Sequence, residues 1–225
     1  MLREAAFVPG EYYHIYNRGI DKRIIFKSAY DYRRFIMLLY VANSEKPIRL
    51  DDLINTLHKK YEEILNLPKS NPLVSIGAWC LMPNHFHIII REEIENGVTK
   101  FMRKLGVGYS MYFNIKYQRT GSLFGGVFKS KNISDDRYLK HLFGYISLNP
   151  LDLEFPEWEG LIDKQNPKVW TDFLKKYQYS SYFDYIGVNR VEKNILNKEA
   201  FPEYFSSTEE FEDFVESYLS FNSTL

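Results

Sequence analysis

A chain of 225 residues with 45% hydrophobic and 17% aromatic content holds enough apolar side chain for one sizeable core, which excludes a disordered or fibrous protein. Its single cysteine, Cys80, excludes an internal disulfide, and neither the N-terminal residues nor the longest apolar run, Phe35 to Ala42, makes a signal core or a bilayer span, so a cytoplasmic protein without membrane attachment is expected. The formal charge of zero conceals a segregation: from Lys100 to His141 nine basic residues face two acidic ones, a net +7, whereas from Pro150 onward fifteen acids face seven bases, a net −8. Such a basic stretch is the footprint of phosphate binding or, more plainly, a solvated face.

Glu11 to Arg18 alternates and ends at Gly19, the pattern of a first strand. Its His14 reads as a packed, hydrogen-bonded residue, with a third metal ligand as the other reading. Ser28 stands ahead of a helix whose Tyr32, Phe35, Ile36 and Leu39 recur at helical spacing. An insertion over about 47–70 follows. In it Asp51 and Asp52 precede Ile54, Leu57, Tyr61, Ile64 and Leu65, which predicts one helix ending near Pro68 with His58 on its surface.

Val74 to Met82 reads as a second strand, Pro83-Asn84 as a turn and His85 to Arg91 as a third strand, a tight hairpin. Thr99 is expected to cap the next helix, which buries Phe101, Leu105, Tyr109, Tyr112 and Phe113 and turns Lys100, Arg103, Lys104, Asn114 and Gln118 outward. Gly106 and Gly108 inside it imply that something approaches closely. A turn at 118–122 leads to a fourth strand within Leu123 to Ile133, with Lys129 and Lys131 on one face. Ser134 is expected to cap a helix over Tyr138 to Leu148, stopped near Asn149 because Pro150 disfavours helical geometry before it.

This order is the split pattern of an α+β, ferredoxin-like fold, a four-stranded antiparallel sheet backed by helices, over residues 1–150. Residues 151–225 form an acidic, aromatic C-terminal extension, with Trp158 and Trp170 among its rings and a last helix near Phe211, Phe214, Val215, Tyr218 and Leu219. It is too apolar for a disordered tail and is expected to pack on the domain.

The chemistry-bearing residues sit on two of these elements. Because side chains alternate along a strand, His85 and His87 share one face and supply part of the coordination sphere of a divalent ion, although such a pair also arises by chance. On the last domain helix Tyr138, Leu142, Tyr145 and Asn149 lie along one stripe. Core aromatics explain those tyrosines equally well when they are taken alone.

Together, Met82-Pro83-Asn84-His85-Phe86-His87, the basic helix, Arg119-Thr120-Gly121-Ser122-Leu123-Phe124, Phe128-Lys129-Ser130 and Tyr145-Ile146-Ser147-Leu148-Asn149-Pro150 resemble the single-tyrosine transposases of the HUH endonuclease superfamily. The REP-associated tyrosine transposases look closest. Tyr13-His14-Ile15-Tyr16-Asn17-Arg18-Gly19 near the start and Tyr179-Ser180-Ser181-Tyr182 in the extension extend the likeness in order along most of the chain.

The resemblance implies a fold of the HUH endonuclease type and a DNA transposase acting as endonuclease and strand transferase. Its substrate would be single-stranded or hairpin-forming DNA, and its intermediate a 5′-phosphotyrosine. It implies Mg²⁺ or Mn²⁺ held by His85, His87 and Asn149, and Tyr145 as the nucleophile, with Tyr138, one heptad away, the alternative. Lys129, Lys131, Arg103, Lys104 and Arg119 are the expected contacts to the DNA backbone, and Phe124 stands where many members carry tryptophan. The other reading is a hairpin-binding module of the same fold without catalysis. A histidine-based phosphoesterase would need a second paired histidine motif, which the chain lacks. Monomer and homodimer both remain open.

Overall fold

The computed structural model describes residues 6–69, 71–155 and 167–221; the expectations for Trp158 and for the side chain of Leu219 fall outside this set. Four strands, β1 (Tyr12–Arg18), β2 (Val74–Met82), β3 (His85–Glu92) and β4 (Lys129–Ile133), form one antiparallel sheet in the order β2-β3-β1-β4. Helices α1 (Ala29–Val41), α2 (Tyr61–Leu65), α3 (Gly97–Lys116) and α4 (Asp136–Leu148) complete the α+β domain. The extension contributes α5 (Pro167–Leu174), α6 (Tyr182–Tyr185) and α7 (Thr208–Phe221).

Strand alternation divides the domain into two layers. Ile15 of β1, Phe86, Ile88 and Ile90 of β3, and Trp79 and Leu81 of β2 pack against Phe35 and Leu39 of α1 and Phe101, Leu105 and Tyr109 of α3. The residues between them face α4, where Ala78, Cys80, Met82 and Ile89 meet Leu139, Leu142, Phe143 and Ile146. All nine residues of β2 are buried, because both faces are covered and the extension runs along its free edge. There Tyr179 O accepts from Leu81 N at 2.9 Å, Ser181 N donates to Trp79 O at 2.8 Å and Asn197 N donates to Ile76 O at 3.0 Å. Pairing of this kind removes an exposed strand edge that would otherwise template association. Gly77 is required at the register shift between Ile76 and Ala78, since a Cβ there would lie 2.8 Å from the Phe201 ring.

Several expected boundaries shift for local reasons. The 47–70 insertion is not one helix: a π-helical turn at Asp52–Thr56 and the short α2 are separated at His58, whose φ of +50° no continuous helix accommodates. Helix α3 starts ahead of Thr99, after a left-handed Asn96, and its Val98 N–H is taken by the Glu92 carboxylate at 3.3 Å. Asp135 rather than Ser134 caps α4, accepting from Tyr138 N at 2.7 Å. Only Lys129–Ile133 of the predicted fourth-strand segment pairs with β1, and the chain continues past α4 in a 3-10 turn at Asn149–Leu153. Of the two glycines inside α3, Gly106 and Gly108, the second permits the expected close approach, its Cβ position being 3.2 Å from Leu38 of α1, whereas Gly106 faces open space.

Candidate active site

The α4 face of the sheet carries a cluster of rings at the end where β1 and β3 pair. Register sets Tyr16 opposite His87 and Arg18 opposite His85, and on the other side Tyr16 opposite Lys129 and His14 opposite Lys131. His14, Tyr16, His85 and His87 therefore project from neighbouring strands onto one face. The His85 and His87 rings are 5.1 Å apart, Tyr16 stacks on His87 at 5.7 Å, and His14 lies against His87 at 5.0 Å.

Helix α4 crosses above. Its Tyr145 ring meets His87 edge-on at 5.7 Å and His14 at 6.3 Å. Asn149, one turn later and buried, donates Nδ2 to the Tyr145 carbonyl at 2.9 Å, and its side chain also hydrogen-bonds His85. That bond uses one of the two amide hydrogens, so the second hydrogen and the amide oxygen both remain for the histidine side of the site. Tyr138 sits elsewhere on the helix, under Lys131, whose Nζ is 4.2 Å from the ring centroid, and beside His141 at 6.3 Å.

Both candidate ligands use Nδ1 for a protein partner. His85 Nδ1 donates to Asn84 Oδ1 at 2.6 Å, and His87 Nδ1 lies 2.8 Å from His14 Nε2. Burial pushes His14 and His85 from 6.5 down to about 4, helped by the charges of Lys131 and Arg18 respectively, while the Asn149 contact opposes the shift at His85. His87 is also held well below 6.5, by burial and by its two histidine neighbours. The imidazoles are thus neutral near pH 7, the state in which a ring nitrogen offers a lone pair to a metal.

Among the described residues no group of three or more His, Cys, Asp or Glu converges as a metal site. The set here is of another kind, two neutral imidazoles and an amide. Two nitrogens and one oxygen suit a divalent ion with open positions for substrate, so the residues fit the metal that the resemblance implies.

Residues 38–149 match the family model of IS200-like transposases. The chain belongs to that family. The matched span contains His85, His87, Tyr145 and Asn149 but neither His14 nor the extension. A solved structure, a REP-associated tyrosine transposase bound to a REP hairpin, superposes with a TM-score of 0.51 at 12% identity, over 85% of this chain and 90% of the other, which extends the likeness to the fold. No curated protein matches the sequence.

The basic residues of this family member divide between the layers. Exposed Lys129 and Lys131 lie on β4, one strand from the histidines and on their side of the sheet. Arg119 donates to Asn114 Oδ1 at 2.7 Å and to Ser122 O at 3.4 Å, closing the turn after α3. Arg103 and Lys104 belong to α3, on the opposite face; Lys104 is tied to the Ser44 carbonyl, and Arg103 borders a groove of about 620 Å³ with Asn17, Asn114, Phe124 and Phe128. Among the described residues, no helix is long and apolar enough to cross a membrane.

The sequence reading missed Tyr16 as a member of the ring cluster, and it took His14 as a packed residue or a third ligand, not as the partner of His87. The signal was present in the parity of β1, where His14 and Tyr16 share a face, but only the strand pairing says that this face meets the histidines of β3.

Proposed function

We propose that this protein is a single-strand DNA endonuclease and strand transferase in which Tyr145 attacks a phosphodiester and retains the DNA as a 5′-phosphotyrosine, releasing a 3′-hydroxyl. The observation that carries the reading is the convergence of Tyr145 with His87 and of Asn149 with His85, from α4 and β3. Membership in the transposase family supports it, and the hairpin held by the structurally similar REP-associated transposase supports hairpin-forming DNA as the substrate.

The residues divide the labour. Tyrosine has an ordinary pKa of about 10 and becomes an effective nucleophile only when positioned and deprotonated beside positive charge. His85, His87 and Asn149 would hold Mg²⁺ or Mn²⁺, which when bound supplies that charge and polarises the scissile phosphate. Helix α4 fixes Tyr145 relative to the sheet through the apolar contacts of Leu139, Leu142 and Ile146, so the attacking oxygen is positioned by a rigid element. Lys129 and Lys131 would hold the DNA backbone on the same side, and Arg119 would contact it from the turn after α3. Because the covalent link preserves a phosphodiester, attack on it by another 3′-hydroxyl rejoins strands with no nucleotide cofactor.

The test is denaturing gel analysis of protein incubated with Mn²⁺ and 3′-labelled hairpin DNA. A labelled band at the position of the protein, absent from Tyr145→Phe and His85→Ala but kept by Tyr138→Phe, is the expected result. Salt-sensitive binding with no adduct across a broad hairpin panel would instead establish a binding module.

A further inference from the structure

The hairpin turn before β3 does more than reverse the chain. Asn84 Oδ1 faces His85 Nδ1 at 2.6 Å, and Asn84 Nδ2 donates to the Lys22 carbonyl at 3.1 Å. A carbonyl can only accept, so the second bond fixes which end of the amide is nitrogen and leaves Oδ1, an acceptor, against the imidazole. His85 must then carry its proton on Nδ1, and Nε2 is the nitrogen with the lone pair. The turn that presents Lys22 is itself held in an uncommon conformation, with Asp21 and Lys22 at φ of +53° and +58°. It is stitched to the hairpin by Gly19 N to Asn84 O at 2.8 Å, Ile25 N to Pro83 O at 2.8 Å and Phe26 N to Pro83 O at 3.0 Å. On the next strand His14 Nε2 stands 2.8 Å from His87 Nδ1, the corresponding atom of the second histidine.

We propose that Asn84 and His14 are positioning residues, each taking the Nδ1 proton of one histidine so that His85 and His87 both keep Nε2 for a metal ion. For His85 the tautomer follows from the hydrogen bonds alone. For His87 it rests on the metal-site reading of the preceding section, because either ring of the His14–His87 pair can donate. A hydrogen bond on the far ring nitrogen sets tautomer, orientation and basicity of a ligating histidine, and loss of such a partner typically costs roughly 10- to 100-fold in metal affinity.

Two measurements on the full chain test this. The first is long-range ¹H–¹⁵N NMR of the imidazoles in metal-free protein near pH 7, assigned by single His→Gln variants among the five histidines. The proposal expects Nδ1–H on both His85 and His87, and Nε2–H on either one overturns it for that residue, whatever the metal does. The second is Mn²⁺ affinity by calorimetry, with thermal melts confirming folding. Asn84→Asp keeps an oxygen for His85 and loses the donor to Lys22, whereas Asn84→Ala loses both.

If Asn84 serves only to tie the turn, the two variants weaken Mn²⁺ binding alike, and the proposal falls. If it positions His85, Asn84→Asp binds at least as well as the native protein while Asn84→Ala loses roughly 10- to 100-fold. His14→Gln, which keeps an acceptor, should likewise outbind His14→Phe by a comparable factor. A native protein that binds no Mn²⁺ removes the metal reading, and the tautomer of His85 then decides the positioning role of Asn84 by itself.

Discussion

The two faces of one sheet are built from the same strands and do opposite work. On the α1/α3 face, Ile15, Phe86, Ile88 and Ile90 are almost wholly buried within the main apolar core. On the α4 face, the residues between them include His14, Tyr16, His85 and His87; the histidines pair through polar atoms with one another, with Asn84 and with Asn149, and Tyr16 stacks on His87. The first face holds the strands at their register. The second uses that register to bring together side chains 73 residues apart in the chain. Strand alternation lets one segment, His85-Phe86-His87, serve both, and stability and chemistry are thereby separable by single substitutions one residue apart.

The sharpest break of this comparison pairs a residue from each side. Tyr145→Phe removes one oxygen from a half-buried ring and should abolish the covalent DNA adduct while leaving the urea midpoint nearly unchanged. Phe86→Ala, on the other face, should cost about 3–5 kcal/mol by emptying a site against Phe35 and Phe124. Activity of that variant should fall only in proportion to the unfolded fraction. Equal loss of stability in both variants, or an adduct surviving in Tyr145→Phe, would show that the faces do not divide the labour this way.

Much of this arrangement was legible in the sequence because it depends on local rules. The hairpin, the shared face of His85 and His87, and the stripe from Tyr138 to Asn149 all follow from residue periodicity. What was not legible depends on pairings between distant segments. His14 read as a packed, hydrogen-bonded strand residue, and it is one, but its partner is His87, which only the β1–β3 register discloses. Asn84 read as turn chemistry, and the Lys22 carbonyl that fixes its amide belongs to a distant turn with two left-handed residues, which residue periodicity does not reveal. The helix expected across the insertion fails at exposed His58, whose left-handed backbone the apolar stripe does not disclose. The basic run from Lys100 to His141 gave a sum of charge without a side, and the structure distributes it over both faces of the sheet.

The buried imidazoles also give the two faces different responses to pH. His14 and His85 titrate near 4 in the folded protein, against an ordinary value of 6.5, so the unfolded chain binds more protons between those limits. Their neutral burial is fully tolerated above about pH 6.5, and stability should fall as pH drops from there toward 4. Urea midpoints measured across that window should therefore decline with acidification in the native protein and less steeply in His14→Gln, which keeps an acceptor for His87 but cannot protonate. Identical slopes would mean that His14 contributes nothing to the pH dependence, which would then lie with other groups.

The smallest effects should come from the exposed cations, and they test whether DNA engages one face or both. Removing a cation that neutralises one phosphate makes the slope of log affinity against log salt shallower by roughly 0.7 to 0.9. Lys131 lies opposite His14 on β4, on the side of Tyr145, so Lys131→Ala should reduce that slope by about this amount and weaken hairpins of different sequence alike. Arg103 is exposed on α3, beyond the opposite side of the sheet, and Arg103→Ala should leave the slope unchanged if the hairpin stays on the α4 face. An equal reduction from both substitutions would mean that the DNA passes around the sheet edge from the histidines to the groove beside Asn17 and Phe128. In that case the apolar layer is not only a scaffold, because its outer helix holds the substrate on which the other face acts.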